Sequence, residues 1–314
     1  MTDNKKLETK RIIIFLVVTF VITYALEILV IWPLSNTSSV EFSQNSMLQL
    51  IIAGVMFIPA IGVLITRLVT KEGFKNSMIK PNFKGNIRYY LFAWLAPIIL
   101  TIVGAVVYYL IFPQNFDITM KTTIDSYMAQ YEELGMADAI TREDIKFALL
   151  MQIPMIFIAP FMNIINCFGE EWGWRGYLLP KMQKKLPMLP MLLVNGVIWG
   201  LWHAPLTIIG HNYGTDYLGY PVTGILMMCG FCIVVGVIFS YITIKTDSVW
   251  PAVLAHGCIN GTSMLSSLFH NGTPNPFIGP LPIGAIGGIG FIITAIIMAI
   301  LLIKKPQSQT ETNL

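Results

Sequence analysis

The chain predicts an all-α, polytopic membrane protein, with about eight transmembrane helices packed around an intramembrane polar cavity. Three observations carry that expectation. Apolar residues make up 55% of the chain and charged residues only 12%, against about 25% charge in soluble domains, and mean hydropathy is +0.67. Apolar runs of about 20 residues recur, separated by polar stretches. Ionisable side chains nevertheless interrupt some of those runs, where charge is costly and marks function. The composition excludes an ordinary soluble domain. The net charge of +3 is small, so no nucleic-acid partner is expected, and the placement of the charges says more than their sum.

The first span follows Lys5, Lys6, Lys10 and Arg11 and extends to Trp32. It is longer than a signal-peptide core and lacks a small-residue cleavage site, so it reads as uncleaved. Glu27 falls late in it, where approach to the outer interface is the expected role. A second span covers 47–68 and a third 89–112. The following connection, 113–146, is mainly acidic, and Ile124, Tyr127, Met128, Tyr131 and Leu134 recur in it at helical spacing. That spacing predicts an amphipathic helix on the membrane face, ending near Gly135. Thr141 and Asp144 read as a capping box opening span four at Ile145.

Span four leads into Cys167–Gly176, CFGEEWGWRG, and then to Lys181, Lys184 and Lys185. Spans five to eight cover 188–210, 221–244, 250–269 and 281–303; Pro251 suits a first helical turn, and Gly284 with Gly288 forms a G-x-x-x-G permitting close helix contact. Eight crossings leave both termini on one side. The termini and the connections after spans two and four collect nearly all Lys and Arg, so the positive-inside rule makes both termini cytoplasmic in a multi-pass protein of the cell membrane. No linker or repeat divides the chain, so 1–314 reads as one membrane domain with a catalytic core at 145–265. The four cysteines lie in apolar or motif segments, which predicts packing residues and no disulfide framework.

The polar residues inside the spans are few. Glu170 and Glu171 adjoin, and Arg175 follows Glu171 by four residues, about 40° away on a helical wheel, so those two can pair on one face. Glu170, about 100° from Glu171, is left free to meet another element. His203 follows Trp199 by four residues in span five, and His256 precedes Asn260 by four in span seven, so each pair shares a face. Polar groups on three separate spans each need a partner in lipid, which predicts convergence on one cavity. His211 and His270 fall in outer loops or span ends and read as surface residues. Measured from the cytoplasmic end of span five, His203 lies roughly 20 Å deep at about 1.5 Å per residue, so span four is expected to stay helical through Glu170 and the cavity to be deep.

A carboxylate in a partly dry cavity can take a proton from water, and an imidazole nearby can orient that water. A second imidazole and an amide can donate hydrogen bonds to the oxyanion formed when water attacks a peptide carbonyl. The same Glu and His side chains can instead hold a zinc ion, and spacing alone does not choose between these routes. No H-E-x-x-H is present.

E-E-x-x-x-R at Glu170, Glu171 and Arg175, aromatic-x-x-x-His at Trp199 and His203, and H-x-x-x-N at His256 and Asn260 resemble, in order, the three motifs of the CPBP family. These are the CAAX-protease and bacteriocin-processing intramembrane proteases, also called Abi proteins. The resemblance covers about 145–265 and leaves the first three spans without a motif. It implies Glu170 as the water-activating catalytic residue, His203 as its helper, His256 and Asn260 as oxyanion donors, and Glu171, Arg175 and Trp199 as supporting residues. Trp199 departs from the usual Phe of the second motif. The family is commonly labelled metalloprotease, which makes zinc on Glu170, His203 and His256 the candidate cofactor arrangement; a metal-independent glutamate mechanism has also been put forward for it. Cys258 lies about 200° from His256 on its helix and is not expected to be a nucleophile.

These residues predict an intramembrane endopeptidase acting on a peptide or membrane-associated protein, by CAAX-type or bacteriocin- and pheromone-type processing. The alternatives are a non-enzymatic membrane protein on the same fold, such as a bacteriocin-immunity factor, and a transporter with Glu170 as its proton site. The sequence names neither the substrate, prenylated or not, nor the oligomeric state.

Overall fold

The computed structural model describes residues 2–37 and 46–304, in which helices joined by turns and loops make up the fold and no strand occurs. Helix α1 (Thr2–Leu26) continues through a π-helical segment (Glu27–Ile31) into α2 (Trp32–Thr37). Its inward face repeats every four residues: Phe15, Thr19, Thr23, Glu27 and Ile31 are all at most 1% exposed. That stripe carries two hydroxyls and a carboxyl among apolar side chains, and Glu27 points inward rather than approaching the outer interface as the sequence suggested. Helices α3 (Ser46–Val55) and α4 (Ile58–Val69), the latter with Pro59 in its first turn, form the second span, and α4 packs on α1. Helix α5 (Ile87–Ile111) is the third.

The acidic connection folds as expected: α6 spans Lys121–Glu133, and Gly135 takes the positive φ of +69° that ends it. Its apolar face lies against its own chain, where Met120, Ile124, Ile145, Leu149 and Leu268 make a small separate core. The capping box is present at the start of α7 (Arg142–Met155), with the Thr141 hydroxyl accepting from Asp144 N–H and the Asp144 carboxylate accepting from Thr141 N–H.

Beyond Pro154 the fourth span breaks into pieces: α8 (Ala159–Met162), α9 (Ile164–Glu171), a second π-helical segment (Trp172–Leu178) and α10 (Leu179–Gln183). Helix α9 carries the chain through Glu170, but turns at 156–158 and 163 interrupt the continuous helix expected from the depth of His203. Helix α11 (Met188–Trp202) turns at His203 into α12 (Ala204–Ile208), and α13 (Val222–Thr246), α14 (Trp250–Thr262) and α15 (Ile289–Lys304) complete the bundle. By length and composition, four described stretches can each cross a bilayer: Lys5–Asn36, Met47–Val69, Ile87–Ile111 and Val222–Thr246. The remaining expected spans consist of shorter or broken helices, including Met188–Trp202 and Ile289–Lys304. Together they make a polytopic all-α membrane protein.

Small residues set the closest approaches. A Cβ on Gly196 or Gly200 of α11 would lie 2.5 Å from the Cα of Ile233 or Cys229 of α13, and one on Gly257 of α14 would lie 2.8 Å from the Cα of Pro160. The G-x-x-x-G expected in the last span has another role, because α15 begins only at Ile289 and Gly284 and Gly288 lie in the turns before it. The close helix contact there is Gly287 against Gly104 of α5, where an added Cβ would sit 1.8 Å from the Gly287 carbonyl oxygen. Gly104→Ala is therefore expected to destabilise the protein by about 1–3 kcal/mol through overpacking, read as a lower unfolding temperature in detergent.

At the Lys-rich end of the bundle, α10 is tied to α1 and to the loop after α4. Lys181 Nζ donates to Glu8 at 3.1 Å and to Glu72, the Tyr177 hydroxyl donates to Glu72 at 2.8 Å, and Arg11 pairs with Glu8 at 2.7 Å. Lys181 and Glu8 are buried, so this network fixes the first span against the segment that carries Glu170.

Candidate active site

Glu170 and Glu171 end α9, and the π-helical turn that follows places Arg175 back over Glu171. Arg175 Nη1 donates to Glu171 Oε1 at 3.1 Å with both side chains fully buried. The guanidinium also lies on two aromatic faces, 4.0 Å from the Trp199 ring and 5.2 Å from Phe239. It fits because Gly236 of α13 has no side chain: a Cβ there would be 3.1 Å from Arg175 Nη2. The pairing expected from the i, i+4 spacing is thus present.

Helix α14 runs antiparallel to α9. His256 lies opposite Glu171, with Nδ1 2.9 Å from Glu171 Oε1, and one turn on Asn260 lies opposite Cys167, with Nδ2 3.9 Å from its sulfur. One oxygen of Glu171 therefore serves both Arg175 and His256. A carboxylate acceptor there makes Nδ1 a protonated donor and turns Nε2 away from Glu171.

Glu170, free of Arg175, meets another element, and that element is α11: Trp199 Nε1 donates to Glu170 Oε2 at 2.8 Å. Trp199 is the hub of the site. Its ring centroid is 5.9 Å from that of His203 and 5.6 Å from that of His256, and its backbone carbonyl takes a hydrogen bond from His203 Nδ1 at 2.9 Å. Since a carbonyl only accepts, His203 is protonated at Nδ1 and its Nε2 carries the lone pair. Glu170, His203 and His256 are all buried, at 2%, 9% and 7% exposure, whereas Asn260 is exposed at the edge of the group. The structure thus gathers Glu170, Glu171, Arg175, Trp199, His203 and His256 into one cluster and leaves Asn260 one helical turn away, bonded to Cys167 rather than to Glu170 or a histidine.

His270 differs from its expected surface place, and His211 lies half-buried in the turns after α12. His270 is 4% exposed, with Nε2 3.3 Å from the Tyr108 hydroxyl, and the His211 ring lies parallel to His203 with centroids 6.4 Å apart. The cysteines are free and buried; Cys258 donates to the Trp94 carbonyl, away from the site. Among the described residues, no three His, Cys, Asp or Glu side chains stand together as a metal-ligand set. The donors proposed for zinc, Glu170, His203 and His256, therefore do not form such a set as placed, and no step below is routed through a metal.

Trp199 gives Glu170 a donor that the Phe of the resembled motif lacks. Trp199→Phe is expected to keep the ring contacts and lose the hydrogen bond, lowering kcat about tenfold with little change in KM, since hydrogen bonds to charged groups contribute about 1.5–3 kcal/mol. Steady-state kinetics of the purified variant checks this.

Residues 152–262 match the sequence model of the family described as type II CAAX prenyl endopeptidase Rce1-like. A stretch of 101 residues is 26% identical to CAAX prenyl protease 2 of Methanococcus maripaludis, covering 32% of this chain and 37% of that protein. The chain thus spans little more than a third of that relative's length. The match to the family model falls on the part of the chain that holds the three motifs.

Proposed function

We propose that the protein is an intramembrane endopeptidase that hydrolyses a peptide bond near the end of a membrane-associated protein or peptide. The observation that carries this reading is the hydrogen bond from Trp199 Nε1 to Glu170 Oε2, which fixes one carboxylate oxygen inside a buried cluster with both histidines. Water held between Glu170 and the lone pair on His203 Nε2 gives a proton to Glu170 and attacks the carbonyl carbon. The resulting oxyanion takes hydrogen bonds from Nε2–H of His256 in its doubly protonated form, a cation that the Glu171 carboxylate stabilises by accepting from Nδ1–H, and from the Asn260 amide after it leaves Cys167. Collapse of the tetrahedral intermediate breaks the C–N bond, and the proton on Glu170 passes to the leaving amine. Glu171 and Arg175 act by orientation, and the whole set works as one domain with its core at 145–265.

The relative's name suggests the substrate class, a protein ending in a prenylated CAAX sequence, and a farnesylated CAAX peptide is the first assay substrate. Substrate trapping in membranes with the Glu170→Gln protein, followed by peptide identification, tests the class without presuming it. Zinc content of the purified protein separates the glutamate route from a metal route. With both termini on the cytoplasmic side, the cavity opens to the cytoplasm or the lipid.

A further inference from the structure

Glu27 lies outside every motif, in the first span, yet it is 1% exposed and neither of its carboxyl oxygens has a hydrogen-bond partner among the described residues. A sealed carboxyl in that condition costs folding free energy, a cost that a partner from outside the chain would offset. Its neighbours place it beside the site. One turn earlier, the Thr23 hydroxyl accepts from Trp202 Nε1 at 2.8 Å and the Tyr24 hydroxyl donates to the Leu201 carbonyl at 2.6 Å. Trp202 in turn meets the His203 ring edge-on at 4.7 Å. Glu27 therefore flanks α12, which begins directly after His203, and it lies within electrostatic reach of Glu170. The two described π-helical segments share a feature as well: one opens at Glu27, and the other opens directly after Glu171. Such wide turns recur at functional sites.

We propose that Glu27 is a substrate-contacting residue of this site, its carboxyl hydrogen-bonding a main-chain N–H of the bound peptide beside the scissile bond. A peptide entering a water-poor cavity loses the water on its N–H groups and needs acceptors there. Glu27 is a buried acceptor with both oxygens unused, supplied by a span that carries no motif. The proposal rests on the endopeptidase reading and assigns the first span a part in it.

The test uses the purified full-length protein, a fluorescent farnesylated CAAX peptide, and the variants Glu27→Leu and Glu27→Gln, each also made in the Glu170→Gln background. Glu27→Leu is expected to raise the unfolding temperature, because an unpartnered buried carboxyl is replaced by an apolar side chain. It is expected to raise KM about tenfold while kcat stays within about threefold, and Glu27→Gln, which keeps an acceptor oxygen, to retain most of the affinity. In the Glu170→Gln background, Glu27→Leu should weaken peptide binding by the same factor. A lower unfolding temperature for Glu27→Leu would reveal a structural partner and overturn the proposal, as would unchanged KM and unchanged binding. If the parent protein binds the peptide without cleaving it and Glu27→Leu weakens that binding, the contact stands and the protease reading falls. A peptide neither bound nor cleaved by the parent protein overturns both.

Discussion

Glu170→Gln is expected to lower peptide cleavage by about 10³-fold, within the range of about 10²–10⁴ for loss of a general base, while the protein stays inserted and abundant. The amide is nearly isosteric and keeps an oxygen for the indole N–H of Trp199, so the packing around it should hold. What it cannot do is take a proton from water and return it to the leaving amine. Unfolding temperature and membrane abundance should therefore match the parent while turnover is lost. His203→Ala should fall in the same direction, because it removes the lone pair that faces the water. Full cleavage by either variant would falsify the mechanism. A cellular phenotype that survives in the Glu170 variant would instead point to a non-enzymatic role for the same fold.

The parts of the site that were readable beforehand are those set within one helix. Glu171 and Arg175 pair because four residues bring side chains over one another, and the π-helical turn between them did not undo this. The capping box at Thr141 and the end of α6 at Gly135 are local for the same reason. Contacts between helices were not legible. That Glu170 would meet the Trp199 indole depends on how α9 and α11 cross, and a single sequence holds no record of crossing geometry. The attachment of His256 to Glu171, rather than to Glu170, is another such contact.

Glu27 shows a different limit. A lone carboxyl near the end of an apolar run looks the same whether it turns outward or inward. Here the run breaks from α-helical to π-helical geometry at that residue, shifting the face to which later side chains belong. The buried repeat at 15, 19, 23, 27 and 31 was visible as spacing, but which side of the helix met protein was not. Gly284 and Gly288 misled in the opposite way. Their spacing fits a helix contact, yet the helix begins only after them, and the close approach uses Gly287 and Gly104, in separate elements.

Arg175→Ala is expected to destabilise the folded protein by about 3–5 kcal/mol, because it leaves the buried Glu171 carboxylate with His256 as its remaining charged partner. The guanidinium also holds the Trp199 and Phe239 rings, so its loss loosens the residue that fixes Glu170. Removing both charges separates structure from chemistry. In the double variant Glu171→Leu with Arg175→Met, apolar side chains of similar length replace the pair, and most of the lost stability should return, since a buried ion pair is often matched by hydrophobic replacement. Cleavage should not return with it. His256 would have lost the carboxylate that holds its Nδ1, and an imidazole free to rotate is a poor oxyanion donor. The expected pattern is an Arg175→Ala protein that is both unstable and inactive, beside a double variant that melts near the parent yet cleaves at about a hundredth of its rate or less. Equal recovery of stability and cleavage in the double variant would mean that Glu171 serves the fold alone, and would remove it from the chemistry.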